Sequence, residues 1–309
     1  MFNAPFIPYL LTLNTIFSNE TFDDNEKAEY TFDFNTTIIS NKNITKWSNQ
    51  PFQIEELTGT LICLSYITSK KMACLISTIY SLKIMKSSEE ASGRTVKEKD
   101  IFELNQWIMI HFNKYGVEKL LVTPAVIDSK YQKVKQTVIE SIVEQFDTNT
   151  VLIAELFNAK SSHHLIQRNL TITTSEGTPT DQCTIQYQMN MQNEQINEDR
   201  GYRSYRIIPV RVAENFPNLT DVRTRISNIK RNCGVTYDIV HLSIRKKADI
   251  HTWTMEMSNN KLNICSRIDV KIPNSDNSYV WRKETQLLLN DVRYPVTGTF
   301  MYSWFDYEL

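Results

Sequence analysis

Glycine is scarce. Only seven occur in 309 residues, about 2% against a usual ~7%, and no two lie close together, which excludes a glycine-rich loop of the kind that cradles a phosphate. The five cysteines, Cys63, Cys74, Cys183, Cys233 and Cys265, form neither a CxxC pair nor an even set. That pattern speaks for reduced thiols in a cytosolic setting over a disulfide framework. The formal net charge is −1, so no global field steers the chain toward nucleic acid or membrane. No apolar run approaches the roughly 18 residues of a membrane span, and the apolar opening stretch lacks a basic region and carries Pro5 and Pro8, unlike a secretory signal. Five Asn-x-Thr sequons, at Asn19, Asn35, Asn43, Asn169 and Asn218, carry little weight in a chain this rich in Asn and Thr.

The catalytic signatures are absent too. The sequence holds no GxxxxGK[ST], GxGxxG, GxSxG, HExxH or EF-hand loop, and with them go the commonest phosphate, dinucleotide, acyl-transfer and metal chemistries. No cofactor or metal is expected, and the chain does not read as an enzyme.

What is present is clearest over 238–272. Trp253, Met255 and Met257 alternate with Thr252, Thr254 and Glu256, and Leu262, Ile264, Ile268, Val270 and Ile272 alternate with polar residues. A four-residue loop, Ser258-Asn259-Asn260-Lys261, pairs Met257 with Leu262, Met255 with Ile264 and Trp253 with Ser266. A second loop at 246–249 pairs Leu242 with Trp253 and Val240 with Met255. Both registers put the apolar residues on one sheet face, and a one-residue slip would reverse every side chain. A β-meander follows.

Upstream, residues 1–50 have no sustained period and read as an arm. Its acidic piece, 20–33, is a solvated loop or a strand with acids on one face. From Pro51 the apolar spacing turns helical: Ile54, Leu57, Leu61 and Leu64, then Met72, Leu75, Ile79 and Leu82, predict helices over 54–67 and 71–86. Thr95-x-x-Glu98 resembles a capping box, with Ile101, Leu104, Ile108 and His111/Phe112 as a buried stripe and Gly116 as its stop. Another helix starts at Asp128 and buries Tyr131, Val134, Val138, Ile142 and Phe146. Beyond Leu165 the period is 2, interrupted by a helix over 219–231. The aromatic alternation of 300–305 reads as a last buried strand.

Charge is segregated in the second half, where residues 200–283 hold 16 Lys and Arg against 7 Asp and Glu. Arg200, Arg203, Arg206, Arg211, Arg223, Arg225, Lys230, Arg231, Lys246 and Lys247 are the candidate interface. Arginine favours bidentate contact with carboxylate or phosphate, and three readings compete: a solvated outer face matched by the chain's own acidic flanks, a subunit interface that receives an acidic patch, and a nucleic-acid surface. His251 falls on the core face of the meander two residues from Asp249, a pair that can orient an imidazole, and Cys265 falls on the other face.

The expected fold class is α+β: an N-terminal arm over 1–50, a helical domain over 51–160 and an antiparallel, jelly-roll-like β-sandwich over 161–309. Such a two-part architecture resembles that of double-stranded RNA virus shell proteins at the level of architecture alone, and departs from it in that the sandwich there is inserted between helices, whereas here it is expected to follow them to 309. The function expected is a structural, self-assembling subunit of a larger particle, a viral capsid or shell-decorating protein of the host cytoplasm, partnered by copies of itself and other chains of that particle. A nucleic-acid-binding accessory protein using 200–283 is the alternative, and an unrecognised enzyme centred on Asp249 and His251 is the third.

Overall fold

A computed structural model describes residues 29–41, 52–66, 71–86, 95–113, 116–122, 129–147, 168–176, 183–193, 222–231, 250–258, 261–271 and 279–293. Eleven strands and one helix are present among them. In chain order they are β1 (Glu29–Asn41), β2 (Phe52–Tyr66), β3 (Lys71–Lys86), β4 (Thr95–Asn113), β5 (Gly116–Val122), α1 (Ser129–Phe146), β6 (Arg168–Glu176), β7 (Cys183–Asn193), β8 (Val222–Arg231), β9 (Ile250–Ser258), β10 (Lys261–Lys271) and β11 (Tyr279–Arg293). All eleven strands lie in one sheet, ordered β5-β4-β3-β2-β1-β11-β10-β9-β8-β7-β6. Two meanders, one on either side of α1 in the chain, are joined where the first described strand pairs antiparallel with the last.

The expected α+β fold is overturned. The segments predicted as helices over 54–67, over 71–86 and between Thr95 and Gly116 hold the strands β2, β3 and β4, so 51–160 is no helical domain, and in place of the helix expected over 219–231 stands the strand β8 from Val222. The strands to its C-terminal side belong to the same sheet as those to its N-terminal side, so the described residues make no two-sheet sandwich. The physical reason lies in the inner faces. Along β4, Phe102, Leu104, Gln106, Ile108, Ile110 and Phe112 are all buried, a period of 2 in which one polar residue breaks the apolar run. Along β3, a bulge falls between Ile76 and Thr78, so the buried Ile76 and Ile79 stand three apart and imitate helical spacing. β-Branched Thr58, Thr60 and Ile62 favour a strand throughout. The acids of β1 do share a face: Asp33 is exposed while Tyr30, Phe32 and Phe34 are buried.

Bulges recur across the first half of the sheet, between Thr31 and Phe32, Gly59 and Leu61, Ile76 and Thr78, and His111 and Phe112. Each bends its strand and raises its twist. Asn105, inside the β4 bulge, has a φ of 42°, a left-handed conformation that asparagine tolerates better than most residues. At Gly59 a Cβ would lie 2.6 Å from both the Thr78 carbonyl oxygen and Ile79 Cδ1, so only glycine fits. Two levels along, past Leu61 and Ile76, Cys63 and Cys74, direct neighbours on β2 and β3, form a buried disulfide. That bond overturns the expectation that all five cysteines are reduced, and the cysteine argument for a cytosolic setting goes with it.

The helix is the one predicted element of its class that stands. Its stripe Val134, Val138, Ile139, Ile142 and Phe146 is buried, each side chain worth about 1.5–3 kcal/mol when fully removed from water. Its last three residues and Asp147 just beyond them reach widely separated strands. Glu144 meets Lys283 on β11, Gln145 meets Ser266 on β10, the Phe146 ring meets Phe32 on β1, and the Asp147 carboxylate accepts from the Val117 amide of β5 at 3.0 Å. In a flat sheet β5 and β10 would stand about 29 Å apart at ~4.8 Å per strand, whereas four successive helical residues rise about 4.5 Å. The sheet is therefore curled into a trough around the helix end.

Candidate functional site: a buried polar centre at the helix end

The β9–β10 register read from the sequence holds: Met257 pairs with Leu262, Met255 with Ile264 and Trp253 with Ser266. The other neighbour of β9 differs from expectation. Trp253 faces Asn228 of β8 in place of Leu242, and His251 stands between Lys230 of β8 and Ile268 of β10. With registers fixed, one level of the inner face can be followed across six strands as Thr36, Thr285, Ser266, Trp253, Asn228 and Tyr187. All six are buried. The next level carries Lys283, Ile268, His251 and Lys230.

α1 docks onto this polar band. Gln145 Nε2 donates to Ser266 Oγ at 2.5 Å and to the Ser141 main-chain carbonyl at 3.2 Å, and the main-chain carbonyl of Gln145 accepts from Trp253 Nε1 at 3.0 Å. Thr36 and Thr285 share a hydrogen bond of 3.0 Å across the β1–β11 seam. Lys283, 3% exposed, donates to Glu144 Oε1 at 2.7 Å. The helix is thus held by directional bonds at one end and by apolar packing along its stripe.

His251 lies beside this tie. It is 8% exposed, and its Nε2 has no hydrogen-bond partner among the described residues. Burial, and then the positive charges of Lys230 and Lys283, push its pKa down from 6.5 to about 3. The imidazole is neutral at neutral pH and holds a proton too weakly to serve as a base there, since an effective general base has a pKa near the working pH. Asp249, its expected partner, lies outside the described residues. Cys265 is on the opposite face, as the alternation implies, and its thiol is directed to Asn263 Oδ1 at 3.6 Å. Among the described residues no group of three or more His, Cys, Asp or Glu could hold a metal ion.

No family model matches the sequence, and no curated protein does. Among solved structures, one of lipid–protein interactions in lipovitellin is similar at 9% identity and a TM-score of 0.44, covering 88% of this chain and 26% of that one. The chain therefore spans about a quarter of that protein's length, and a likeness at this level assigns neither family nor function.

Of the ten interface candidates, Arg200, Arg203, Arg206, Arg211, Lys246 and Lys247 lie outside the described residues. Arg223, Arg225, Lys230 and Arg231 lie on β8. Arg225 is exposed and sits 3.5 Å from Glu256, its cross-strand partner, whereas Lys230 stands on the inner-face level of His251. Two further arginines of the basic segment, Arg267 and Arg282, clamp the buried Asp269 carboxylate on the outer face at 2.9 and 2.7 Å. Three arginines of that segment are thus paired within the chain. His111, expected on a helix stripe, is on β4 between Lys71 and Lys119, and partial burial followed by those two charges lowers its pKa. Sequence reading missed the polar band because serine, threonine and asparagine at core positions look like surface residues. The one usable signal was Ser266, which the hairpin register already set opposite Trp253. No helix among the described residues is long and apolar enough to cross a membrane.

Proposed function

We propose that this chain is a structural, self-associating subunit that works by joining copies of itself, without catalysis. Of the three observations behind the viral-shell expectation, the helical base joined to a sandwich is overturned by the fold, while the segregated charge and the lack of a catalytic signature remain, so the proposal retained is assembly itself. The observation that carries it is the contrast between the two ends of the sheet. Among the described residues β5 pairs only with residues 108–113 of β4. The remaining stretch, 95–107, carries Lys97, Glu98, Lys99, Asp100 and Glu103, all exposed, and charge on an open edge is how sheets resist adding strands. At the other end β6 hydrogen-bonds only to β7 among the described residues. Its central residues 169–175, NLTITTS, contain no charge, proline or glycine, and a β-branched, uncharged edge is a template for another strand.

Light scattering over a concentration series, with absorbance at 260 and 280 nm on the same peak, tests this. The reading predicts a mass that rises with concentration to a multiple of 36.1 kDa with a protein-like absorbance ratio. A mass fixed at the monomer, or a monomer that carries nucleic acid, overturns it.

A further inference from the structure

Resting on that reading, we propose the contact itself: β6 of one copy pairs antiparallel with β6 of a second copy about a two-fold axis at Ile172. Three constraints lead there. The first is facial. The even-numbered positions of β6, 170, 172 and 174, are in register with the buried Met189, Tyr187 and Ile185 of β7, so they belong to the inner face of the trough. A two-fold axis normal to the sheet keeps inner face with inner face, so even positions oppose even positions and paired residue numbers have an even sum.

The second is charge. The only charged residues of β6 are Arg168 at its start and Glu176 at its end. The pairing centred on residue 172 sets position 168 of each copy opposite position 176 of the other, cation against anion, at both ends of the ladder. A shift to either neighbouring even sum breaks both pairs. Opposite charges directly across a ladder stabilise it and like charges destabilise it. The third is the outer face, where the exposed Thr171 and Thr173 oppose each other twice, a favourable cross-strand combination.

The same geometry limits the assembly. A contact in which one patch meets itself is isologous and closes at two copies. Both β6 edges are consumed, and among the described residues the edges left over are the charged β4–β5 ends. The product is a dimer whose two sheets run on as one, with both helices on the same side.

A charge swap decides the matter. R168E sets glutamate against glutamate at both ends, and E176R sets arginine against arginine. Each is expected to weaken dimerisation at low salt by about tenfold or more, with the unfolding midpoint at a matched monomer concentration unchanged. The double variant R168E/E176R restores the opposite-charge pairs and is expected to dimerise like the original chain. Single variants that dimerise normally, a double variant that fails to recover, or a mass that grows beyond the dimer would overturn this register. An oligomeric chain indifferent to all three variants would sink the register and leave the assembly reading standing, whereas a monomeric original chain would sink both.

Discussion

Acid should loosen this protein through one residue. His251 is neutral in the folded state, where burial and the charges of Lys230 and Lys283 hold its pKa at about 3, while in the unfolded chain it takes up a proton near its ordinary value of 6.5. Below 6.5 the unfolded state binds more protons than the folded one, so stability falls with falling pH. The contribution is whole above 6.5 and is lost progressively down to about 3. One pKa unit corresponds to 1.36 kcal/mol, so the loss reaches about 2 kcal/mol at pH 5 and about 5 kcal/mol near pH 3, an order-of-magnitude figure. The charges acting on His251 are those of Lys230 and Lys283, and Lys283 is tied to Glu144 of the helix. Carboxylates titrate in the same window, so the test is a difference of differences. Urea unfolding of the original chain and of H251Q at pH 7.5 and pH 5.0 isolates the imidazole. The original chain should lose about 2 kcal/mol more than H251Q between the two conditions. Equal losses would refute the assignment of a buried, neutral, proton-rejecting His251.

Two further substitutions probe the parts that hold the trough together. Lys283→Met removes the ion pair that ties Glu144 to β11 and should cost about 3 kcal/mol, with K283M/E144L recovering most of it, because breaking a buried pair costs far more than replacing it; both are read from denaturant midpoints. Gly59→Ala forces a Cβ onto the Thr78 carbonyl at the bulge and should cost about 1–3 kcal/mol, whereas the same change at an unstrained exposed strand position would cost little.

The elements legible in the sequence were those whose signal is local. The β9–β10 hairpin could be read because a four-residue loop and two alternating strands fix a register together. α1 could be read because Val134, Val138, Ile142 and Phe146 repeat every four residues with no competing period-2 pattern. β2, β3 and β4 failed for a shared reason. Bulges and the buried Gln106 interrupt the alternation, and the residues that remain fit a helical spacing equally well. β8 was misread because only Ile226 and Asn228 are fully buried on its inner face, and a polar core residue gives no period to find. The joining of β1 to β11 was beyond reach. Thr36 and Thr285 are 249 positions apart, and the choice of a distant partner leaves no mark on either strand. The polar centre inherits that difficulty, since Thr36, Thr285, Ser266 and Asn228 acquire a shared role only once five strands are in order.

The most direct test of the account is hydrogen exchange at β6, followed at protein concentrations above and below the midpoint of association. Amides of 168–176 that face the open edge should be protected in the concentrated sample and should exchange freely on dilution, while β7 and β8 stay protected in both. If the exchange of 168–176 is the same at both concentrations, copies of this chain do not meet at that edge.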